Sequence, residues 1–265
     1  MVTIDHATCQ RDGMCIAVCP MMLFETDPEG FPAFRPGAAK SCISCGHCVA
    51  ICPNGALQHA RLPLSDAPLI EPGHIASGSA TTNLLKSRRS IREFRDEPVA
   101  EVLIREAIDA ARWAPSAINH QPLHWLVIRT PSEVRRLAGL VADYLRQSGE
   151  IGARYATILA QWDQGNDLIL RNAPHLVVVH AANDWAWSMV DCTIALTQFE
   201  LAAVAHGIGT CWAGFLMWAA REHPPLAEAL GIPAGHGVYG ALMMGIPRYR
   251  YRRSPPRQKA HVTWR

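Results

Sequence analysis

Two cysteine runs at one end of the chain constrain it more than any other feature. Residues 42 to 53 place Cys42, Cys45, Cys48 and Cys52 in a C-x2-C-x2-C-x3-C-P pattern that ends on Pro53. Three thiolates at those offsets come from one tight loop and share an iron–sulfur cluster, while the fourth crosses to a second cluster. A partner run is therefore expected upstream. Residues 9 to 20 keep every offset with Cys9, Cys15, Cys19 and Pro20, but put Asp12 where the second cysteine belongs. The pattern assigns Cys42, Cys45, Cys48 and Cys19 to one site, and Cys9, Asp12, Cys15 and Cys52 to the other. A carboxylate is a harder ligand than a thiolate and suits iron less well. The Asp12 site is thus open to two states, a 4Fe–4S cluster with one labile iron or a 3Fe–4S cluster with Asp12 unbound. Net charge and hydrogen bonding set cluster potential, so the two states would differ in it.

Zinc and disulfides are the competing readings. Zinc knuckles are paired C-x2-C units separated by a longer loop, not three cysteines in one turn closed by Cys-Pro. Disulfides need an oxidising compartment, and Met1-Val-Thr-Ile-Asp lacks the basic start and apolar stretch of a secretory signal. The interval from Met21 to Ala39 contains Asp-Pro, Glu-Gly and Pro-Gly pairs, as a turn-rich hairpin between two such loops would. Residues 1 to 60 resemble a two-cluster bacterial ferredoxin.

Seven of the nine cysteines fall in the first 52 residues, a shift of composition at the scale of a domain. A length of 265 residues allows one large domain or two unequal ones, and 49% apolar content is enough for a substantial core. A formal charge of +2 gives no bulk electrostatic case for nucleic acid. No uncharged apolar run reaches the length of a membrane span. The expected setting is cytoplasmic, with neither nucleic acid nor membrane as partner. Residues 61 to 82 are rich in Pro, Gly and Ser without a sustained period, and read as a linker. That divides the chain into 1–60, a linker 61–82, and a second domain 83–265.

Beyond the linker, helical patterns alternate with a few short strands, which indicates an α+β or mixed-sheet layered fold. Helices are expected over residues 83–90, 99–113, 132–147 and 191–206, and strands over 125–129, 176–180 and 238–244. In the second helix Val102, Leu103, Ala107 and Ala110 fall on one face at steps of three and four. The last helix is apolar around much of its circumference and should be buried.

Three separated segments carry chemistry. Arg88, Arg89, Ser90 and Arg92 offer three guanidinium forks and a hydroxyl, which suit phosphate oxygens. Alone, such a run is more often a solvated face. The turn from Ala114 to Pro122 supplies Ser116, Asn119 and Gln121 as short polar groups. Gly207 to Phe215 holds Gly207, Gly209 and Gly214 around Cys211 and Trp212, where a backbone can approach something flat. In this order the segments resemble the FMN-dependent nitroreductase family: Arg-Arg-Ser-x-Arg-x-Phe (Arg88 to Phe94), Ala-Pro-Ser-x-x-Asn-x-Gln-Pro, Gly-x-Gly-Thr-Cys-Trp-x-Gly, and a tail from Tyr251 to Arg257 with Trp264 near the end.

The resemblance implies a nitroreductase-like three-layer fold with a mixed central sheet, and a homodimer with two FMN sites at the subunit interface. It places Arg88, Arg89, Ser90 and Arg92 at the phosphate and ribityl chain. Pro115, Ser116, Ala117, Asn119 and Gln121 belong to the loop lent by the other subunit. Cys211, Trp212, Ala213 and Gly214 lie along the ring edge that carries N5, and Arg253 and Arg257 are the tail's phosphate contacts. Some family members carry glutamate at the position of Ala213; here backbone donors alone would face that edge. Cys192 and Cys211 read as buried small hydrophobes. Tyr144, Tyr155 and Trp162 fall where the family varies its substrate lid, although aromatic residues at such spacing are more often core.

The leading functional expectation runs electrons from a low-potential donor such as reduced ferredoxin, through two clusters, to FMN and on to a nitroaromatic, quinone, enone or related organic acceptor. Clusters pass single electrons and flavin stores two, which makes sense of the fusion. Hydride would leave from N5, and His120, Tyr144 and Tyr155 are the candidate proton donors. A solvated imidazole or a packed ring is the blander account of each. One alternative takes NAD(P)H directly at the flavin; no Gly-x-Gly-x-x-Gly follows a strand to make a separate nicotinamide domain. Another is a non-enzymatic electron carrier or redox sensor.

Overall fold

A glycine in the left-handed region lies inside each cysteine loop and opens its short helix. In the computed structural model, which describes Val2–Arg265, Gly13 has φ 70° and Gly46 has φ 75°. Side chains other than glycine adopt such angles only under strain. Each glycine turns the chain so that the next cysteine falls in a short helix: Cys15 in α1 (Met14–Ala17), Cys48 in α2 (His47–Ile51). Strand β1 (Val2–Ile4) pairs antiparallel with β4 (Leu57–His59), and β2 (Phe24–Thr26) pairs with β3 (Pro32–Phe34) as the hairpin between the loops. Val2, Cys15, Phe24, Val49 and Leu57 form the small core. This compact unit comprises residues up to Ile75 together with Ala117–His120.

The second unit comprises Ala76–Ser116 and Gln121–Arg265. Its first helix, α3 (Gly78–Ser87), begins inside the expected linker because the Ser77 hydroxyl caps it, accepting from the Ala80 amide at 3.2 Å. Helix α4 (Glu101–Ala111) buries Ile104, Ala107 and Ala111, while Val102 is 58% exposed. The apolar face is thus rotated from the expected one, since Ile104 outweighs Val102 when only one of the two can face the sheet. Then follow β5 (His124–Ile128), α5 (Pro131–Gln147), α6 (Glu150–Arg154), α7 (Ala156–Asp163), β6 (His175–Ala182), α8 (Ser188–Ala205), β7 (Gly209–Trp212), α9 (Gly214–Glu222), α10 (Pro224–Ala229) and β8 (His236–Gly245).

The sheet order is β5-β6-β8-β7, with every strand pair antiparallel; Ser90 adds a parallel bridge to Thr210. Alternate residues of β6 feed two cores, as the period of a strand requires. Leu176 and Val178 pack with α5, α9 and α10; Val177 and Val179 pack with α4 and α8. The result is three layers. By length and composition α8 could cross a membrane, but Asp191, Cys192, Leu196, Phe199 and Glu200 along it are buried against the fold. Gly240 lets α8 lie that close: a Cβ there would sit 2.5 Å from Leu196 Cδ2.

His175 ties α4 to the sheet. Its Nδ1 donates to the Arg129 carbonyl at 2.9 Å and its Nε2 accepts from the Val99 amide at 2.9 Å, with the side chain 1% exposed. Both bonds need the neutral ring, and burial holds His175, and likewise His180, below the ordinary imidazole value. The unfolded chain therefore takes protons at about pH 6.5, where the folded chain does not. This contribution to stability is complete above about pH 6.5 and is lost as pH falls through that value toward the lower folded one. Thermal melts should show a lower midpoint at pH 5 than at 7.5, by less in His175→Gln; an equal loss in both proteins would sink the assignment.

Candidate functional site

The cysteine loops converge as two crossed sets. Cys42, Cys45 and Cys48 line one cavity with Cys19, and Cys9, Asp12 and Cys15 line another with Cys52. Among the described residues no three His, Cys, Asp or Glu side chains are arranged for a single ion, and all nine cysteines are free thiols. Four donors spread around a cavity fit a multi-atom cluster better than one tetrahedral metal.

The electrostatics point the same way. Burial first, then the neighbouring Cys45, Cys19 and Cys42, pushes the Cys48 thiol up to about 11. Cys15 is raised by burial, with Asp12 and Cys52 adding to the rise. Such crowding is relieved when metal replaces protons. Backbone amides already serve the crossing sulfurs: Leu23 N–H donates to Cys19 Sγ at 3.5 Å and Ala56 N–H to Cys52 Sγ at 3.3 Å. The Ser44 hydroxyl, in the wall of the first cavity, is buried with no partner among the described residues. An acceptor is missing there, and a cluster would supply one. Asp12 itself accepts from the Met14 amide at 3.0 Å and so helps start α1.

In the second unit the arginine run and the glycine strip come together although more than a hundred residues separate them. Ile91 N–H donates to the Thr210 carbonyl at 2.8 Å, which sets Ser90 beside β7. Cys211 is buried, and burial is the first cause of its raised thiol pKa; the Arg92 and Arg171 charges and a hydrogen bond with Ser90 oppose the rise. Gly214 opens α9 with nothing within 4 Å of where its Cβ would lie. The Ser254 hydroxyl donates to the Lys86 carbonyl at 2.9 Å, and Arg89 donates to the same oxygen. The tail is thereby fastened beside the arginine run, with Arg253 and Arg257 exposed.

The other expected residues lie elsewhere or are occupied. Ser116 accepts from the Gln121 amide at 2.9 Å, and Pro115 is exposed. Ala117, Asn119 and His120 belong to the first unit, where the Asn119 amide donates to the Ser44 carbonyl at 2.9 Å. Tyr144 is 6% exposed with its hydroxyl on Glu222 at 2.5 Å. Tyr155 packs edge-on against Phe215 at 4.9 Å, and Trp162 lies under Arg135 at 4.9 Å. Burial pushes Cys192 up to about 12.

Two residues escaped sequence reasoning. Glu200 is 3% exposed; its Oε1 accepts from Thr210 Oγ1 at 3.1 Å and faces Arg88 at 3.5 Å, and its Oε2 accepts from Trp212 Nε1 at 2.9 Å. The available signal was a lone glutamate in an apolar helix. Arg171 holds φ 61°, in a loop pinned by Asp167, which accepts from the Ile169, Leu170 and Asn172 amides. Nothing in its local sequence marked it.

Residues 85–246 match the model of the nitroreductase family. The chain belongs to that family. Residues 1–53 match the 4Fe-4S dicluster domain, so this is a nitroreductase-like oxidoreductase with an N-terminal iron–sulfur domain. An NADH dehydrogenase of Thermus thermophilus is 52% identical over 184 residues, 63% of this chain and 86% of that protein. A nitroreductase with bound FMN from Bacteroides fragilis superposes with a TM-score of 0.59 at 22% identity, covering 69% of this chain and 96% of that one. A second, from Desulfitobacterium hafniense and also with bound FMN, has a TM-score of 0.58 at 21% identity over 69% and 97%.

Proposed function

We propose that this nitroreductase-family chain is an iron–sulfur flavoprotein driven by a low-potential one-electron donor such as reduced ferredoxin, acting on a nitroaromatic, quinone, enone or related acceptor. The observation that carries the proposal is the crossed convergence of Cys19 with Cys42, Cys45 and Cys48, and of Cys52 with Cys9, Asp12 and Cys15. A two-electron reductase that took nicotinamide alone would have no use for it. FMN, when bound, accepts single electrons and delivers them in pairs.

The chain's residues bind and orient. Arg88, Arg89, Ser90 and Arg92 suit the phosphate, with Arg253 and Arg257 of the tail as further cations. Cys211 to Gly214 present backbone to the ring edge, and the open space at Gly214 leaves room for a planar group. Pro115, Ser116, Ala117, Asn119 and Gln121 complete a site across a homodimer. In a single chain α8 leaves Met189 and Val190 exposed, as a face awaiting a second copy would. Tyr144 is committed to Glu222, which favours water or His120 as the source of protons.

The relative named as an NADH dehydrogenase supports a second reading, in which NAD(P)H reduces the flavin directly. The test mixes anaerobically purified protein separately with NADH, NADPH and reduced ferredoxin, following flavin bleaching optically and the clusters by electron paramagnetic resonance. Bleaching at catalytic speed by ferredoxin alone upholds the proposal. Bleaching by nicotinamide, with the clusters still oxidised, replaces it with the second reading.

A further inference from the structure

We propose that His59 is a hydrogen-bond donor to the cluster ligand Cys42 and raises the reduction potential of that cluster alone. The inference rests on the ligand assignment proposed above. His59 ends β4 and is 4% exposed. Its Nδ1 accepts from the Arg61 amide at 3.1 Å. A ring nitrogen that accepts carries no hydrogen, so the neutral imidazole keeps its hydrogen on Nε2. Nε2 lies 3.7 Å from Cys42 Sγ, within reach of an N–H···S bond. The backbone thus chooses the tautomer, and the tautomer makes His59 a donor.

The bond makes the two sites unequal. Their crossing ligands are served alike, Cys19 by the Leu23 amide and Cys52 by the Ala56 amide. Among the described residues no side chain donates to Cys9, Cys15 or Cys52, so His59 has no counterpart in the other site. That site holds the Asp12 carboxylate instead. Reduction adds one electron to a cluster and spreads negative charge onto its sulfur ligands, where a fixed N–H dipole favours it. No proton moves, because Nε2 keeps its hydrogen in both states. The Cys42 site should therefore fill first and the Asp12 site later.

The test is a redox titration of the full-length, cluster-loaded protein read by electron paramagnetic resonance. His59→Phe keeps a ring but has no donor, and His59→Gln restores an N–H. At a fixed potential the reduced-to-oxidised ratio of the Cys42-site cluster should drop about three- to tenfold in His59→Phe, the equivalent of one net hydrogen bond. It should recover in part in His59→Gln, with the other cluster's titration unchanged. An unaltered titration in a His59→Phe protein with full iron content overturns the inference. Wild-type protein lacking two clusters would overturn the ligand assignment itself, a different failure. If His59→Phe does not hold its cluster, wild-type protein labelled with nitrogen-15 histidine decides. A weak nitrogen coupling to the reduced cluster should persist in His47→Gln, which removes the other imidazole lining that cavity; its absence overturns the proposal.

Discussion

Cys45→Ala should lose one cluster and with it ferredoxin-driven reduction of the flavin. Cys45 stands in the wall of the first cavity beside Cys42, Cys48 and Cys19. Changes around a metal site's ligands already cost about 10–100-fold in metal affinity, so removal of a ligand costs at least that. Cys48 holds its proton more tightly than an open cysteine does, at about 11, and metal must displace that proton to rebind. Iron content should fall by about half, and the rate of flavin bleaching by reduced ferredoxin by about 100-fold or more. FMN content should stay near the wild-type level, because neither the arginine run nor the glycine strip lies among the residues of that cavity. A variant that kept full iron and the wild-type rate would remove Cys45 from the ligand set.

Glu200→Ala should produce the largest loss of stability in the second unit. Truncation leaves the Thr210 hydroxyl, the Trp212 indole N–H and the Arg88 guanidinium without the carboxylate that now engages all three. Breaking a buried charged pair costs about 3–5 kcal/mol; the lower end applies because Arg88 is partly exposed. About 3 kcal/mol corresponds to a fall of roughly 6–12 °C in melting midpoint for a domain of this size. FMN should also bind more weakly, since one carboxylate braces both the arginine run and the strip carrying Trp212. Glu200→Gln keeps an oxygen for Trp212 and removes only the charge, so it should lose less on both counts. Calorimetry and flavin fluorescence measure the two effects. An alanine variant with an unshifted melt would mean that the three donors find water instead.

Several features were legible because they rest on short-range geometry. The offsets among Cys42, Cys45, Cys48 and Cys52 are consequences of how far one turn of chain reaches, and Asp12 declares itself by occupying a cysteine's offset. The apolar stretch that became α8 and the valine-rich run that became β6 are periodic or continuous enough to name their own secondary structure. The face of α4 was less clear, because Val102 and Ile104 are both apolar and only the sheet beneath decides which is covered.

By itself, then, the sequence determined the kind of chemistry: paired cluster loops, an arginine run, a glycine strip, and the layered family fold around them. Only the tertiary structure decided who meets whom. It brought Ser90 against Thr210, gave Arg88 and Trp212 a shared carboxylate in Glu200, engaged Tyr144 with Glu222, and turned His59 toward Cys42. Those partners lie far apart along the chain or sit in patterns that only burial makes meaningful. A glutamate in an apolar helix or a histidine at a strand end has no assigned role until the chain closes. Once water is excluded, each buried polar atom must find a partner within hydrogen-bond reach.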